Sequence, residues 1–165
     1  MLFSKYVYTH LNMKRNTKVN SGKRSESVQN CTCFNLRKAT RAVTQLFDEA
    51  LKPCGLYATQ FTLLAAVSSK ENVAITELSK ALVMDRTTLT RNLKPLQKSG
   101  WVEVLPGLDK RTKALSLTLS GKKVLKQAMI HWKEVQNEVV MTLGNGNWEL
   151  LVDNLSSTVK KLNPY

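Results

Sequence analysis

Apolar residues recur at helical spacing along most of this chain. Residues 33–51 predict a first helix, because their apolar positions follow one another at steps of three and four. These positions are Leu36, Ala39, Val43, Leu46 and Ala50. Pro53 and Gly55 interrupt the pattern. Two shorter helices are then predicted over 60–68 and 77–82, separated by a loop, with Thr59 and Thr76 as their capping residues.

The segment "DRTTLTRNLKPLQKSGW", residues 85–101, predicts a fourth helix. Leu89, Leu93 and Leu96 recur on one face, and Asp85 is placed to cap the helix. Pro95 removes one backbone hydrogen bond, so we expect a bend or an early loosening of the last turns.

Beyond Gly100 the period changes from helical to alternating. "WVEVL" and "KALSLT" alternate around "PGLDKRT", which predicts a β-hairpin. Ser120 is then expected to cap a long helix over 121–143, "GNGN" to end it, and a last helix to cover 148–162. The apolar seams of these two helices are Leu125, Ala128, Trp132, Val135 and Val139, and Trp148, Leu151, Leu155, Val159 and Leu162.

This order of elements predicts a mainly α fold with a small β-wing. Residues 59–118 form a winged helix-turn-helix, and residues 31–58 and 119–165 supply flanking dimerisation helices within one domain, 31–165. Two chains pairing through the outer helices would cover the apolar seams, so a homodimer is expected. The alternative is that the seams pack on the domain's own core.

The charge of the chain indicates its class of partner. With 25 Lys and Arg against 12 Asp and Glu, the formal net charge is +13, which attracts polyanions such as nucleic acid. Residues 1–30 hold six bases and one acid without periodicity, and are interpreted as a disordered basic arm in which Met13 is an alternative start. A merely solvated basic surface is the alternative interpretation.

Nothing in the sequence points to a membrane or to a secreted disulfide framework. No apolar run approaches the length of a membrane span. Three cysteines are an odd number, so a reducing cytoplasm is the expected compartment.

The polar face of the fourth helix predicts contacts with double-stranded DNA. The second helix of a helix-turn-helix presents its first turns to base edges in the major groove. Arg suits guanine, Thr offers a hydroxyl and a methyl group, and Lys suits phosphate. The expected contacts on this helix are Arg86, Thr87, Thr88, Thr90, Arg91 and Lys94.

The hairpin tip adds a second set of expected DNA contacts. Lys110, Arg111 and Lys113 would reach the minor groove or the phosphates. Asp109 is interpreted as the residue that pairs with a neighbouring cation and orients it.

The stretch 75–125, with Asp109-Lys110-Arg111 and "LSLTLSG", resembles the MarR (multiple-antibiotic-resistance regulator) family of winged helix-turn-helix repressors. The resemblance extends over 33–162 and implies a homodimer on a pseudo-palindromic operator, released by a ligand or an oxidant. It also implies small aromatic acids bound between the dimer helices and the winged unit, where Tyr57, Phe61 and Trp132 are the candidate lining. The basic arm, Pro95 and "CTCF" depart from the family pattern.

Cys31 and Cys33 are predicted to form a thiol switch. A helix N-terminus favours an anionic group such as a thiolate, and Arg37 and Lys38 follow one turn later. Cys33-Phe34 resembles the cysteine of peroxide-sensing family members. A bond from Cys33 to Cys54 or to a second subunit, and inert buried thiols, are the alternatives.

No enzyme, cofactor or metal site is predicted. The two histidines and the acids form no catalytic constellation, and Cys31-x-Cys33 lacks the second pair that a zinc site needs. The predicted function is a sequence-specific transcriptional regulator, most simply a repressor. A nucleoid-type or protein-partner protein without an effector is the alternative.

Overall fold

A computed structural model describes residues 28–107 and 112–163. In that part of the chain it contains six α-helices and three strands, which are α1 (Thr32–Leu51), α2 (Ala58–Ser68), β1 (Val73–Ala74), α3 (Ile75–Ala81), α4 (Arg86–Lys98), β2 (Val102–Pro106), β3 (Lys113–Leu117), α5 (Leu119–Leu143) and α6 (Asn145–Leu162). Two 3₁₀ turns, Val28–Asn30 and Lys52–Cys54, flank α1. The mainly α fold with a small β-wing is confirmed.

The chain divides into two units, residues 1–40 and 41–165, and α1 begins in the first unit and ends in the second. The described part of the first unit starts with the turn Val28–Asn30, whose first carbonyl accepts the Cys31 N–H at 3.1 Å. The Asn35 side-chain amide donates to the carbonyls of Gln29 and Cys31 at 2.7 and 3.0 Å. The predicted arm, apart from residues 28–30, lies outside the described residues.

Within the second unit, the three strands form an antiparallel sheet in the order β1-β3-β2. The predicted hairpin is confirmed, because β2 and β3 pair from Val102↔Leu117 to Pro106↔Lys113. The prediction of a loop before α3 is wrong for Val73 and Ala74, which pair with Leu115 and Ala114. A strand of two residues is too short to show an alternating pattern.

The hydrophobic core of the second unit lies between the helices and the sheet of the winged part. All three leucines of α4 are at most 1% exposed, as the periodicity predicted. They belong to one hydrophobic cluster with Leu64 of α2, Leu115 of β3 and residues of the other elements. By contrast, none of the residues of α6 is buried.

The predicted caps of α2 and α3 are wrong. The helix α2 begins at Ala58, ahead of Thr59, because the carboxylate of Asp48 accepts the Ala58 N–H at 2.6 Å. The Gln60 side chain accepts the N–H of Tyr57 at 3.0 Å. Thr76 lies inside α3, whose N-cap is Ala74.

The predicted start of α5 and the predicted break before α6 are also wrong. Thr118 caps α5, accepting the Gly121 N–H on its Oγ1 at 3.0 Å, and Ser120 lies inside the helix. Gly144 alone separates α5 from α6, so the remainder of "GNGN" is helical.

The end of α4 and the start of α5 are joined by a backbone contact. Gly100, at φ +70°, ends the α4 segment, and Trp101 donates its N–H to the Leu96 carbonyl at 2.9 Å. Thr118 donates its hydroxyl to the Gly100 carbonyl at 2.6 Å and its N–H to the Trp101 carbonyl at 3.1 Å. A Cβ on Gly121 would stand 2.0 Å from the Trp101 carbonyl oxygen. Only glycine therefore fits at position 121 without moving one element away from the other.

Gly121→Ala is expected to lower the free energy of unfolding by about 1–3 kcal/mol, the usual cost of overpacking. The atom it would meet is backbone, which cannot rotate away. Urea denaturation followed by circular dichroism measures the change. Gly146→Ala is the control, because nothing lies within 4 Å of a Cβ there, and a change within about 0.5 kcal/mol is expected. Equal stability of Gly121→Ala and parent would contradict the contact.

Candidate nucleic-acid interface

The helix α4 presents a polar face to solvent because its opposite face is fixed in the core. Its N-cap is Asp85, as predicted, and the carboxylate accepts the Thr88 N–H at 2.8 Å. The cap fixes the first turn, and the buried Leu89, Leu93 and Leu96 fix the rotation of the helix about its axis. Together they determine which side chains face outward.

The outward side chains of α4 share one open depression of about 550 Å³. Its lining consists of Arg86, Thr87, Thr90, Arg91, Lys94 and Ile75. The structure therefore brings together five of the six residues that the sequence placed on this helix face. Ile75, the first residue of α3, was not predicted, because an isolated apolar residue at a helix start has the same signal as a core residue.

The threonines of α4 differ in what they can offer a ligand. Thr88 is half-buried, and its N–H is used by the Asp85 cap. Thr90 is exposed, and its hydroxyl donates to the Arg86 carbonyl at 2.7 Å. With that proton engaged, Thr90 can offer a methyl group and an oxygen acceptor. The Thr87 N–H also contacts the Asp85 carboxylate, and the Thr87 hydroxyl has no hydrogen bond among the described residues.

Pro95 does not end the helix early. The helix α4 continues to Lys98, and the Pro95 carbonyl accepts the Ser99 N–H at 3.0 Å. The expectation of an early loosening is therefore wrong. Pro95 is exposed, so the Arg91 carbonyl that loses its helical partner lies on the solvent side of α4.

The wing is described at its base only. Gly107 donates its N–H to the Thr112 carbonyl at 2.9 Å, which closes the hairpin, and Lys113 is exposed at the start of β3. The predicted tip residues Asp109, Lys110 and Arg111 lie outside the described residues.

The candidate cysteines and aromatic residues do not line the α4 depression. Cys31 and Cys33 are exposed at the start of α1, and Cys54 is half-buried. Phe61 and Trp132 are stacked with ring centroids 6.0 Å apart, and Phe61 is buried. Tyr57, at the N-cap of α2, is exposed and does not take part in that stack.

The described ranges, 28–107 and 112–163, contain no group of three or more His, Cys, Asp or Glu side chains that could hold a metal ion. Among the same residues, no helix combines the length and the apolar character needed to cross a membrane.

A half-buried helix with an Arg- and Thr-lined outer face, followed by a hairpin, defines a winged helix-turn-helix protein. The family model described as MarR family matches residues 56–113. Regulator MosR of M. tuberculosis, solved in complex with DNA, is 36% identical, with 81% of this chain and 98% of that one covered and a TM-score of 0.71. A mutant MarR of Escherichia coli complexed with operator DNA is 29% identical, with 79% and 91% covered and a TM-score of 0.67.

A sequence relative supports the same assignment. An HTH-type transcriptional regulator of Bacillus subtilis, YwoH, is 27% identical over 105 residues, which are 64% of this chain and 77% of that protein. The chain belongs to the MarR family, and it is a DNA-binding transcriptional regulator. Members of this family are transcriptional regulators, which are not enzymes.

The Asp85 cap makes the stability of α4 dependent on pH. Hydrogen bonds from the Thr88 hydroxyl, and then from its N–H, hold the pKa of the Asp85 carboxyl below its ordinary value of 3.8. A lowered folded-state pKa contributes stability that is present above pH 3.8 and is lost as the pH falls through the folded value. Asp85→Ala is expected to lower the Tm at neutral pH.

The difference in Tm between parent and Asp85→Ala should shrink as the pH is lowered below 3.8. Asp85→Asn is the control, because an amide oxygen also caps a helix but carries no charge. Thermal unfolding across this pH range measures all three proteins. A constant difference between parent and Asp85→Ala at every pH would rule out the ionised cap.

Proposed function

We propose that this chain is a repressor that binds a pseudo-palindromic operator as a homodimer, with α4 in the major groove. The outer face of α4 carries the proposal: two arginines, two threonines and a lysine line one concave surface while the leucines hold the helix rigidly from behind. Arg suits guanine edges, and Thr90 suits a thymine methyl group because its hydroxyl proton is already bonded.

Exposed apolar residues on the outer helices support the homodimer. The helix α6 has no buried residue, and it exposes Leu150, Leu151, Val152, Leu155, Val159 and Leu162. Val43 and Leu46, on the part of α1 in the same unit, are exposed as well. An apolar face of this extent is typical of an interface rather than of a monomer surface.

DNA binding indicates where the proposed regulator acts. It also separates the regulator from the nucleoid-type alternative. The relatives named above are bacterial proteins, and a regulator that binds genomic DNA in a bacterial cell acts in the cytoplasm. The nucleoid-type alternative uses the same net charge of +13 but needs no base reading. Discrete protected sites in a footprint support the regulator, and uniform coverage supports the alternative.

We place the effector crevice beside α2 and α5. The stacked Phe61 and Trp132 would form its wall, and the exposed Tyr57 its rim, one helical turn before Phe61. A small aromatic acid would compete with or extend this stack.

Arg91→Ala is expected to weaken operator binding by about 1–3 kcal/mol and to relax specificity at one base pair per half-site. Arg111→Ala, at the wing tip predicted from the sequence, should weaken binding on every sequence to a similar extent, because a phosphate or minor-groove contact carries little base identity. Binding of the purified dimer to an operator and to its single-base variants, at several salt concentrations, measures both effects.

Lys133→Ala is the matched control for Arg91→Ala, because Lys133 is exposed in the middle of α5 and loses the same charge. Affinity for a random duplex should fall little with either change. Parent-like binding by both Arg91→Ala and Arg111→Ala would show that neither the helix nor the wing is assigned correctly.

We further propose that Cys31 and Cys33 form the regulatory thiol pair. Both are exposed, and Cys31 lies just outside α1 while Cys33 lies in its first turn. A hydroperoxide would oxidise one thiol to a sulfenic acid and leave as an alcohol. The second thiol would then displace water and form a disulfide. Because Cys31 precedes the helix, this bond requires only the first turn to unwind.

Mild hydroperoxide is expected to release the parent protein from DNA, and a thiol reductant to restore binding. Cys31→Ser and Cys33→Ser should resist release, since each removes one partner of the bond. Cys54→Ser, at the half-buried third cysteine, is the control and should behave like the parent. Identical release curves for all four proteins would exclude this pair.

A further inference from the structure

The α4 depression contains one apolar side chain among polar ones. Ile75, the first residue of α3, lines it together with two arginines, two threonines and a lysine. Ile75 is half-buried, whereas the five polar residues are exposed. Among the residues that the structure describes, no acid lines the depression. The cations attract a duplex of any sequence, so an apolar group in the same surface contributes something other than charge.

The position of Ile75 is fixed by the sheet on one side and by the core on the other. Ala74, the preceding residue, pairs with Ala114 of β3 and is the N-cap of α3. Leu78, three residues after Ile75, lies on the same face of α3 and is 2% exposed. Ile75 packs against the hydrophobic core with part of its side chain, and the remainder lines the depression. A β-branched side chain with few accessible rotamers therefore presents apolar surface at a defined place.

The major groove of DNA offers one kind of apolar group at its base edges. The edges present hydrogen-bond donors and acceptors, together with the 5-methyl group of thymine. A deoxyribose also offers carbon atoms, but each lies between two phosphates, and a phosphate against a half-buried isoleucine would lose water without gaining a donor. A thymine methyl group loses water favourably at the same place. The chemistry of Ile75 therefore favours a thymine.

The polar neighbour Thr90 is compatible with the same base. Its hydroxyl donates its proton to the Arg86 carbonyl, so its methyl group remains available for an apolar contact. Ile75 and Thr90 line the same depression from different helices, α3 and α4. A methyl group that enters the depression can thus be contacted by both helices of the helix-turn-helix.

We propose that Ile75 is a specificity-determining residue that contacts the 5-methyl group of one thymine in each half-site of the operator. This inference rests on the proposed placement of α4 in the major groove, and it adds a base contact made by α3. If the isoleucine and the methyl group contact each other, removing either one should weaken binding. Removing the second after the first should then have little further effect.

The probe is the duplex that the purified parent protein selects from a randomised library. Each thymine of this duplex is replaced in turn by deoxyuridine, which lacks only the 5-methyl group. We expect one position in each half-site at which the replacement weakens binding by about fourfold, the effect of one buried methyl group. Fluorescence anisotropy measures the affinity for each duplex.

Ile75→Ala should bind the selected duplex more weakly than the parent and should not distinguish thymine from deoxyuridine at that position. Ile75→Val keeps the branched side chain and removes one methyl group, so its deoxyuridine effect should be smaller than that of the parent. This second variant keeps the test valid if thermal unfolding shows that Ile75→Ala does not fold.

Ile130→Ala is the matched control, because it makes the same change at a residue of α5 that is 60% exposed and does not line the depression. It should show the full deoxyuridine effect of the parent. Thr90→Ser keeps the hydroxyl and removes the neighbouring methyl group, and it should retain part of the effect.

The inference is overturned if no thymine is sensitive to the replacement, or if the effect is undiminished in both Ile75 variants. It is also overturned if Ile130→Ala loses the effect as Ile75→Ala does. Failure to select any duplex would contradict the proposed function and this inference with it. A specific duplex that is bound equally well with deoxyuridine at every position would contradict this inference alone.

Discussion

The position of α4 relative to α5 depends on one contact between backbones. The α5 helix begins directly against the Gly100–Trp101 turn that follows α4, and Gly121 has no side chain because the Trp101 carbonyl occupies the place of its Cβ. Thr118 makes the same junction from the other side, since its hydroxyl caps α5 and also donates to Gly100. The direction of α4 is thereby tied to that of α5 through backbone groups of Trp101 and Gly121 and through the Thr118 side chain.

Much of the fold could be predicted from the apolar periodicity of the sequence. The predictions that failed concern one short strand and the ends of helices. The apolar steps of α1, α4 and α5 were sufficient to predict these helices, because each is long enough to repeat its pattern several times. The strand β1 was missed because two residues cannot alternate. The cap of α2 was misplaced because the Ala58 N–H is bonded to Asp48, ten residues earlier in the chain, which no local sequence pattern records. The cap of α3 was misplaced because its N-cap, Ala74, has no side chain that could signal a cap.

One part of the candidate site could be predicted from the sequence, namely which side chains of α4 face outward, because burial of the opposite face determines this. Three leucines fix the outward face of α4, so its arginines and Lys94 could be assigned from spacing alone. The hydrogen-bonding capacity of the individual side chains on that face could not be predicted from spacing. The Thr90 hydroxyl donates its proton to the Arg86 carbonyl of the same helix, and Ile75 of α3 lines the same depression. The roles of Tyr57, Phe61 and the cysteines stay predictions, because they depend on partners that a single chain does not contain.

The junction at Gly121 bears on how the proposed effector would act on DNA binding. In the proposed dimer, α6 would hold the two chains together, and α5 connects it through Gly144 to the winged unit. Because the end of α4 is joined to the start of α5, a bend or shift of α5 in the proposed dimer would change the spacing of the two α4 helices. The Phe61–Trp132 stack joins α2 to α5. In the proposed dimer, a ligand at this stack would therefore act on α5.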